Sequence, residues 1–527
     1  MTEPEHEPIS FNALTSRWLP LVQAASAGER AGTVWASPVE VLCGEADGVD
    51  LDWPRDDFRV YARLLLSALV QALFAARDKA ELQARLKTPM SRAEVDARVA
   101  AVRGEFDLFG PTPFLQVTPQ PIPKGGAAPF VFQDGDLTQA QLRIDVIGLP
   151  AALVALFIEQ TYAGGAGRGY AAGPGGQPGV MTLVDPGTVR AGAWANTLTK
   201  DAVAVSYAAD GPCPWSNAKR EPRSRAATGL VEGLFFQPRA IWLLDAEPGE
   251  CSFTGVLGPR VRLSPFLAKS SLTKKPAKGE DLWQHPCAPM AVNSVGLGVI
   301  RLTAAQPMWT GLAQLLAPLA KAGTKIIHPR QGVALVLQQW KSLRGQPRSP
   351  RLLVLDFDRD KANVKQRFFE AWPLTDDLLR NPSAIERLRD LAKDAEFVER
   401  KLWKALLSAH DERKKGARAG FASADAVTAY WMATEAPFLS WLRTVVDTHT
   451  ETDEADLAAQ RAAHLIGQTL RQTALRLFDA NCSMSEFDPR KQSQVARARS
   501  RLRRDLWAAP NPTQVAVVQQ QPEEAQP

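Results

Sequence analysis

The sequence predicts an α+β protein: a large mixed α/β N-terminal domain with long loops over residues 1–380, a four-helix bundle over 381–508, and a disordered tail over 509–527. Three observations predict it. Before Pro382, short runs with β-branched or aromatic alternation interleave with apolar helical runs. Glycine and proline, 36 and 39 of 527 residues, call for long connections there. After Pro382 glycine becomes rare and an apolar period of 3.6 residues takes over.

The elements follow in order. Phe58–Ala76 is a strongly apolar helix, and Asp56 or Asp57 can accept from the amides of its first turn. Arg92–Phe106 is a second helix. Phe109–Val131 is rich in proline and glycine and predicts turns and short strands. Ile147–Tyr162 is another apolar helix, and the glycine-dense stretch Ala163–Gly179 follows it. Val180–Val184, Phe235–Leu244, Gly298–Leu302 and Arg351–Phe357 have the texture of strands.

In the bundle, Ala384–Leu407 places Ile385, Leu388, Leu391, Ala392, Ala395, Val398, Leu402 and Leu406 on one face. Ser423–Val446 is the second helix, with an irregularity expected at Pro437. Leu457–Asp479 is the third, with Leu465, Ile466, Thr469, Leu470, Ala474 and Leu477 inward. Pro489–Trp507 is the fourth.

Composition excludes several classes. The five cysteines are scattered, with no CxxC pair, which argues against a disulfide scaffold or a Cys-rich zinc site and fits a reducing cytosol. The N-terminus is acidic and no apolar run reaches ~18 residues, so neither a signal peptide nor a membrane span is expected. A cytoplasmic protein is the expectation. The net charge of +5 is too mild to decide on nucleic acid by itself.

The placement of the charge is more informative. Basic clusters occur at Ala218–Arg225, at Lys269, Lys274, Lys275 and Lys278, at Glu412–Arg418, and along the last helix at Arg490, Lys491, Arg497, Arg499, Arg501, Arg503 and Arg504. Such clusters are either solvated faces or phosphate contacts that bind by counterion release. The glycine stretch is either a connector or a loop pressed against a polyanion. Its GRGYAA fits GxGxxA formally, but it follows a helix instead of a strand, and no Walker lysine accompanies it.

Signs of chemistry are sparse. His410-Asp411 would need His328, Asp447 and His449 as company to hold a metal. Helix C-terminal charge is the simpler reading. His285 and Cys287 lack a third partner and read as packing around Trp283. Asp356, Asp358 and Asp360 alternate on one strand face, a conceivable magnesium trio, but Arg359 and Lys361 beside them point to a turn between strands. No catalytic set, metal site or cofactor is expected.

Six stretches in register carry a resemblance: NALTSRWLPLV, WPRDDFRVYARLLLSAL, LFGPTPFLQV, GGQPGVMTLV, GLVEGLFFQPRAIWLL and LWQHPCAP. Together they resemble the CasA family, the large subunit of the type I-E CRISPR surveillance complex Cascade, from residue 11 to the bundle. The resemblance implies a non-enzymatic subunit beside the guide-RNA 5′ handle. It would recognise the protospacer-adjacent motif on double-stranded DNA, wedge the duplex open, help hold the displaced strand and recruit a helicase–nuclease. Protein then reads a short duplex element and base pairing reads the rest. A related scaffold subunit without motif readout is the alternative, and a metal phosphohydrolase centred on His410-Asp411 is a second one from another class.

The resemblance also implies sites. Gly164, Gly165, Gly167 and Arg168 match a glycine loop in the minor groove, where Arg168 replaces a family glycine and adds groove charge or alters motif preference. Lys269, Lys274 and Lys275 are candidates for a lysine finger, Lys274 foremost. A wedge hairpin falls in Phe357–Arg367, with Lys361 at the tip where the family often has glutamine, and Arg359, Asp360 and Asn363 beside it. Phe130, Phe132 and Gln133 match the region that meets the RNA handle and the neighbouring subunit. Arg497, Arg501 and Arg504 lie on a face for the displaced strand or the small subunits. Some relatives carry a zinc motif after GLFFQP. Only Cys251 remains here, so no zinc is expected.

Overall fold

The structure is a computed structural model. It describes residues 9–24, 32–116, 144, 146–161, 179–210, 227–264, 283–293, 296–302, 307–316, 332–343, 350–360, 363–374, 378–379, 382–410, 421–447, 453–482 and 489–508. The chain forms two compact units. The first is Met1–Leu302 with Pro318–Trp372, and the second is Thr303–Ala317 with Pro373–Pro527.

The first unit is built on two helices buried nearly all round, α2 (Asp56–Phe74) and α5 (Leu149–Thr161). Their apolar residues leave almost no polar face, and such helices stay in water only when other elements cover every side. Around them run α1 (Pro38–Leu42), α3 (Lys79–Lys87), α4 (Arg92–Val102), α6 (Val189–Ala195), α7 (Lys200–Ser206) and α8 (Leu230–Leu234). Strand β1 (Leu19–Val22) lies between β2 (Thr33–Ala36) and β3 (Asp50–Leu51). A second sheet has the order β4 (Ile147–Gly148), β7 (Leu257–Leu263), β6 (Leu243–Glu250). A third has β5 (Met181–Asp185) beside β10 (Arg351–Asp360), which neighbours β11 (Asn363–Pro373). β8 (Met290–Asn293) pairs with β9 (Gly296–Val299).

Three expectations change. The strand expected over Gly298–Leu302 is β9, Gly296–Val299, and Ile300–Leu302 lie outside it. Phe235–Leu244 is not a strand: α8 ends at Leu234 with Phe235 as its cap, and regular pairing begins only at Leu243. Phe235, Ile241 and Trp242 are buried, so their apolar character serves packing. Ile147 and Gly148 form the short strand β4, and the helix starts at Leu149.

A capping box opens α1. The Ser37 hydroxyl accepts from Glu40 N at 3.2 Å while the Glu40 carboxylate accepts from Ser37 N at 2.7 Å. Arg17 donates to the same carboxylate and holds Glu40 below its usual carboxylate value of 4.5. This stabilisation is present above the unfolded-state pKa and is lost as pH falls through the lowered folded-state value. The stability difference between parent and Glu40→Gln is therefore expected to shrink from neutral pH to pH 3. Urea midpoints across that range check it, and a difference that stays constant would refute it.

The second unit joins α9 (Leu312–Leu316) to four long helices, α11 (Pro382–Ala409), α12 (Phe421–Asp447), α13 (Asp453–Asn481) and α14 (Pro489–Ala508). α10 (Leu335–Ser342) belongs to the first unit. All eight residues expected inward on the first bundle helix are buried. α12 continues through Pro437. On α13 the inward face is Ala463, Ile466, Leu470, Arg471, Thr473, Ala474 and Phe478, while Leu465 is 61% exposed. The buried stripe includes a charge that hydropathy cannot foresee. Arg471 donates to both oxygens of Asp394 at 2.8 and 3.0 Å, and to the carbonyls of Leu506 and Gly467. A buried guanidinium is tolerable only when paired and hydrogen-bonded in this way.

Candidate nucleic-acid interface

β5 follows the glycine stretch, which rejoins the described chain at Gly179. It is antiparallel to β10, in a register that pairs Asp185 with Arg351 and Met181 with Leu355. The residues before Met181 therefore leave the sheet at the end where β10 continues past Leu355. Asp356–Asp360 run on beyond this pairing, a ribbon of about 17 Å at ~3.3 Å per residue. β11 begins at Asn363 and neighbours β10, so the connection takes two residues.

Three contacts fix that end of β5. Val180 N donates to Ile300 O at 3.0 Å. Thr182 donates to Cys287 O from its backbone N at 2.8 Å and from its hydroxyl at 3.0 Å. Asp356, buried at the base of the ribbon, accepts from Leu302 N at 2.7 Å and Phe357 N at 2.8 Å. Its carboxylate is thus committed to backbone amides. Gly179 is pressed so closely on the chain that a Cβ would lie 2.2 Å from Ile300 O.

The strand after the hairpin is held on α2. The carboxylate of Asp57 takes Arg55 at 2.5 and 3.0 Å and lies 3.3 Å from Arg367 of β11. Arg59 sits over the Phe369 ring at 5.8 Å. The WPRDDFR stretch thus serves the hairpin's anchorage as well as the start of α2, and Asp57 accepts from Phe58 N at 3.1 Å.

The departure point of the glycine stretch is also fixed. Glu159, at the end of α5, pairs with Arg239, and both are fully buried. Next to it, Gln160 donates to Leu115 O at 3.0 Å and Arg239 O at 2.9 Å, and accepts from Arg239 N at 3.2 Å. Leu115 holds φ at 58°, a left-handed conformation leucine rarely adopts. Gln116 accepts from Leu243 N and donates to Leu108 O, both at 2.8 Å. FLQV, FIEQ and FFQPRA therefore meet in one buried polar joint. Sequence reasoning missed Gln116, Gln160, Arg239 and Thr182, because a polar residue inside an apolar run is the only signal of such a joint.

The expected contact residues divide sharply. Gly164, Gly165, Gly167, Arg168, Lys269, Lys274, Lys275, Lys361, Phe130, Phe132 and Gln133 lie outside the described residues. Arg359, Asp360 and Asn363 stand at the facing ends of β10 and β11, where the backbone alone is described. Arg497, Arg501 and Arg504 are described, on α14 and exposed.

The alternatives involving chemistry gain little. His410 Nε2 lies 3.5 Å from Cys482 Sγ, whose thiol burial and Asp479 push up to about 11. His285 is half-buried, desolvation lowers its pKa to about 3, and its Nδ1 accepts from Cys287 N at 3.1 Å beside the edge of Trp283. Among the described residues no group of three His, Cys, Asp or Glu is placed to hold a metal ion. Cys251 is buried, its N–H donating to Val256 O at 2.9 Å.

The family model for CRISPR-associated protein Cse1 matches residues 12–477. The chain belongs to the Cse1 (CasA) family. Solved structures share its fold. Thermus thermophilus CasA (Cse1) is 20% identical, covers 95% of this chain and 99% of its own, and superposes with a TM-score of 0.68. Thermobifida fusca Cse1 is 17% identical over 94% of this chain and 97% of its own, at 0.69. A chain of a CRISPR RNA-guided surveillance complex is 19% identical over 94% and 100%, at 0.63. This Cse1-family chain is thus a Cascade large subunit with the α+β architecture expected from its sequence. The family match ends before α14.

Proposed function

We propose that this Cse1-family subunit reads the protospacer-adjacent motif on double-stranded target DNA, wedges the duplex open beside it and recruits a helicase–nuclease, without catalysing a reaction itself. It does so in the cytoplasm, seated on the guide-RNA 5′ handle and the neighbouring Cascade subunits, with Phe130, Phe132 and Gln133 at the handle. One observation carries the reading. The glycine stretch rejoins the described chain at Gly179, at the end of β5 beside which the β10–β11 ribbon continues, and Cys287, a few residues after Trp283, accepts from Thr182 near that same end. A glycine loop with Gly164, Gly165, Gly167 and Arg168, a lysine from Lys269, Lys274 or Lys275, and a ribbon tip at Lys361 would then face one stretch of duplex.

The roles follow from the residue types. Glycine backbone fits a narrow minor groove, whose code is degenerate and tolerates related motifs. A lysine adds phosphate or base-edge contact. A ribbon tip inserted at a base step separates the strands at a cost of a few kcal/mol, offset when the guide pairs.

The test uses the subunit assembled with its partner subunits and guide RNA. Matched duplexes differ only in the base pairs flanking the target, at fixed salt. Matched-flank binding is expected to exceed scrambled-flank binding by at least ten-fold. Gly167→Asp, which sets a carboxylate against phosphates, should abolish that ratio while the complex still assembles. Equal binding of both flanks by the parent complex would leave the subunit a scaffold.

A further inference from the structure

The β10–β11 ribbon is held at matching points on its two strands. Asp356 stands four residues before the end of β10 at Asp360, and Arg367 four residues after the start of β11 at Asn363. About 13 Å of each strand lies beyond these points, at ~3.3 Å per residue. On β10 the tie is to backbone, since Asp356 accepts from Leu302 N and Phe357 N. On β11 it joins two side chains, with Arg367 Nε 3.3 Å from the carboxylate of Asp57.

Successive side chains of β11 point to opposite sides. Phe368 and Trp372, on one side, are buried. Arg367 and Phe369, on the other, meet the first turn of α2 through Asp57 and Arg59.

That turn of α2 is itself fixed. The side chain of Asp57 is 2% exposed, takes two hydrogen bonds from Arg55 and accepts a third from Phe58 N. Arg55 lies over the rings of Phe58 at 5.3 Å and Phe253 at 5.9 Å. Phe253, in the turn between β6 and β7, packs on Phe58 at 4.4 Å and stacks on Trp53 at 6.4 Å. The start of α2 is thus gripped between that turn and β11.

One carboxylate serves two guanidinium groups here. Loss of Asp57 would strip both cations of their shared partner. Loss of Arg367 leaves Asp57 with Arg55 and Phe58 N, so α2 keeps its bonds while the ribbon loses a tie. A functional tip is precise only when a supporting shell fixes the element that carries it.

We propose that Arg367, held by Asp57, is a positioning residue for strand separation: it aims the β10–β11 ribbon at the duplex. It acts through the ribbon and needs no contact with DNA. The proposal rests on the function proposed above and names the residue that sets the ribbon's direction.

The test uses the assembled complex with guide RNA and a matched-flank target carrying a fluorophore and a quencher on opposite strands. Arg367→Gln is expected to slow strand separation about ten-fold, through loss of a charge-assisted tie. Arg367→Lys keeps the charge and should keep most of the rate. Arg59→Gln leaves the Asp57–Arg367 pair in place, removes the cation over Phe369, and should slow separation about two- to three-fold. A target with mismatches beside the flank is already open, and on it every variant should match the parent. Parent-like separation of paired strands by Arg367→Gln overturns the proposal. So does slow separation that the mismatches fail to restore, since the pair would then serve stability alone. A parent complex whose strand separation ignores the flanking base pairs refutes the function proposed above, and this proposal with it.

Discussion

Replacing Arg239 by methionine is expected to destabilise the first unit by about 3–5 kcal/mol, because it leaves the carboxylate of Glu159 buried without its guanidinium. The single change is costly while the pair itself need not be. Two charges taken out of water lose solvation that their attraction only partly restores, and apolar pairs of similar volume are often as stable. Glu159→Met combined with Arg239→Met should therefore regain most of the loss. Urea midpoints of the parent, the single variant and the double variant decide it. A single variant as stable as the parent would show that the joint contributes nothing. The double variant has a second use. Gln160 would still bind the carbonyls of Leu115 and residue 239, so stability and the placement of the glycine stretch can be separated.

Gly179→Ala is expected to disable target recognition more than its chemistry suggests. The added Cβ would lie 2.2 Å from Ile300 O and 2.9 Å from Val299 Cβ, and neither is the flexible end of a side chain. Backbone must move, at a cost of about 1–3 kcal/mol. The strand that moves is the one on which the glycine stretch, Cys287 and β10 converge. The complex should still assemble, with matched-target affinity reduced at least ten-fold and the flank ratio collapsed. Gly104→Ala is the control, since nothing lies within 4 Å of its new Cβ. Normal flank discrimination in Gly179→Ala would mean that the root of the stretch does not set its position.

The bundle was the most legible part of the sequence. Ala384–Leu407 was expected and Pro382–Ala409 observed, because a long amphipathic helix repeats its message every turn. The third helix was legible in extent but not in rotation. Leu465 was expected inward and is 61% exposed, while Arg471, absent from the expected inward face, is buried in an ion pair with Asp394, 77 residues away. Phe235–Leu244 failed as a strand for a related reason: apolar alternation reports burial, and irregular buried backbone can carry it too. At the candidate interface, residue types alone marked glycine, lysine and hairpin segments as unusual. Their common root could not be read, because it is made by backbone hydrogen bonds such as Thr182 to Cys287, between residues about a hundred positions apart.

The short segment Thr303–Ala317 belongs with the second unit, although Pro318–Trp372 returns to the first. Trp309 stacks on Phe438 at 4.5 Å and meets Trp431 edge-on at 6.1 Å. These partners lie more than a hundred residues downstream. On a ribosome adding ~5–20 residues per second, Trp309 is made roughly 6–26 seconds before Phe438. During that interval Trp309, Leu312 and Leu316 have no native surface to bury against. The nascent chain thus passes through a stage in which one piece of the bundle protrudes from a unit that can otherwise close. Chaperone capture, or a pause in synthesis before the bundle, would act at that stage, and a chain ended at Trp372 would be held in it permanently.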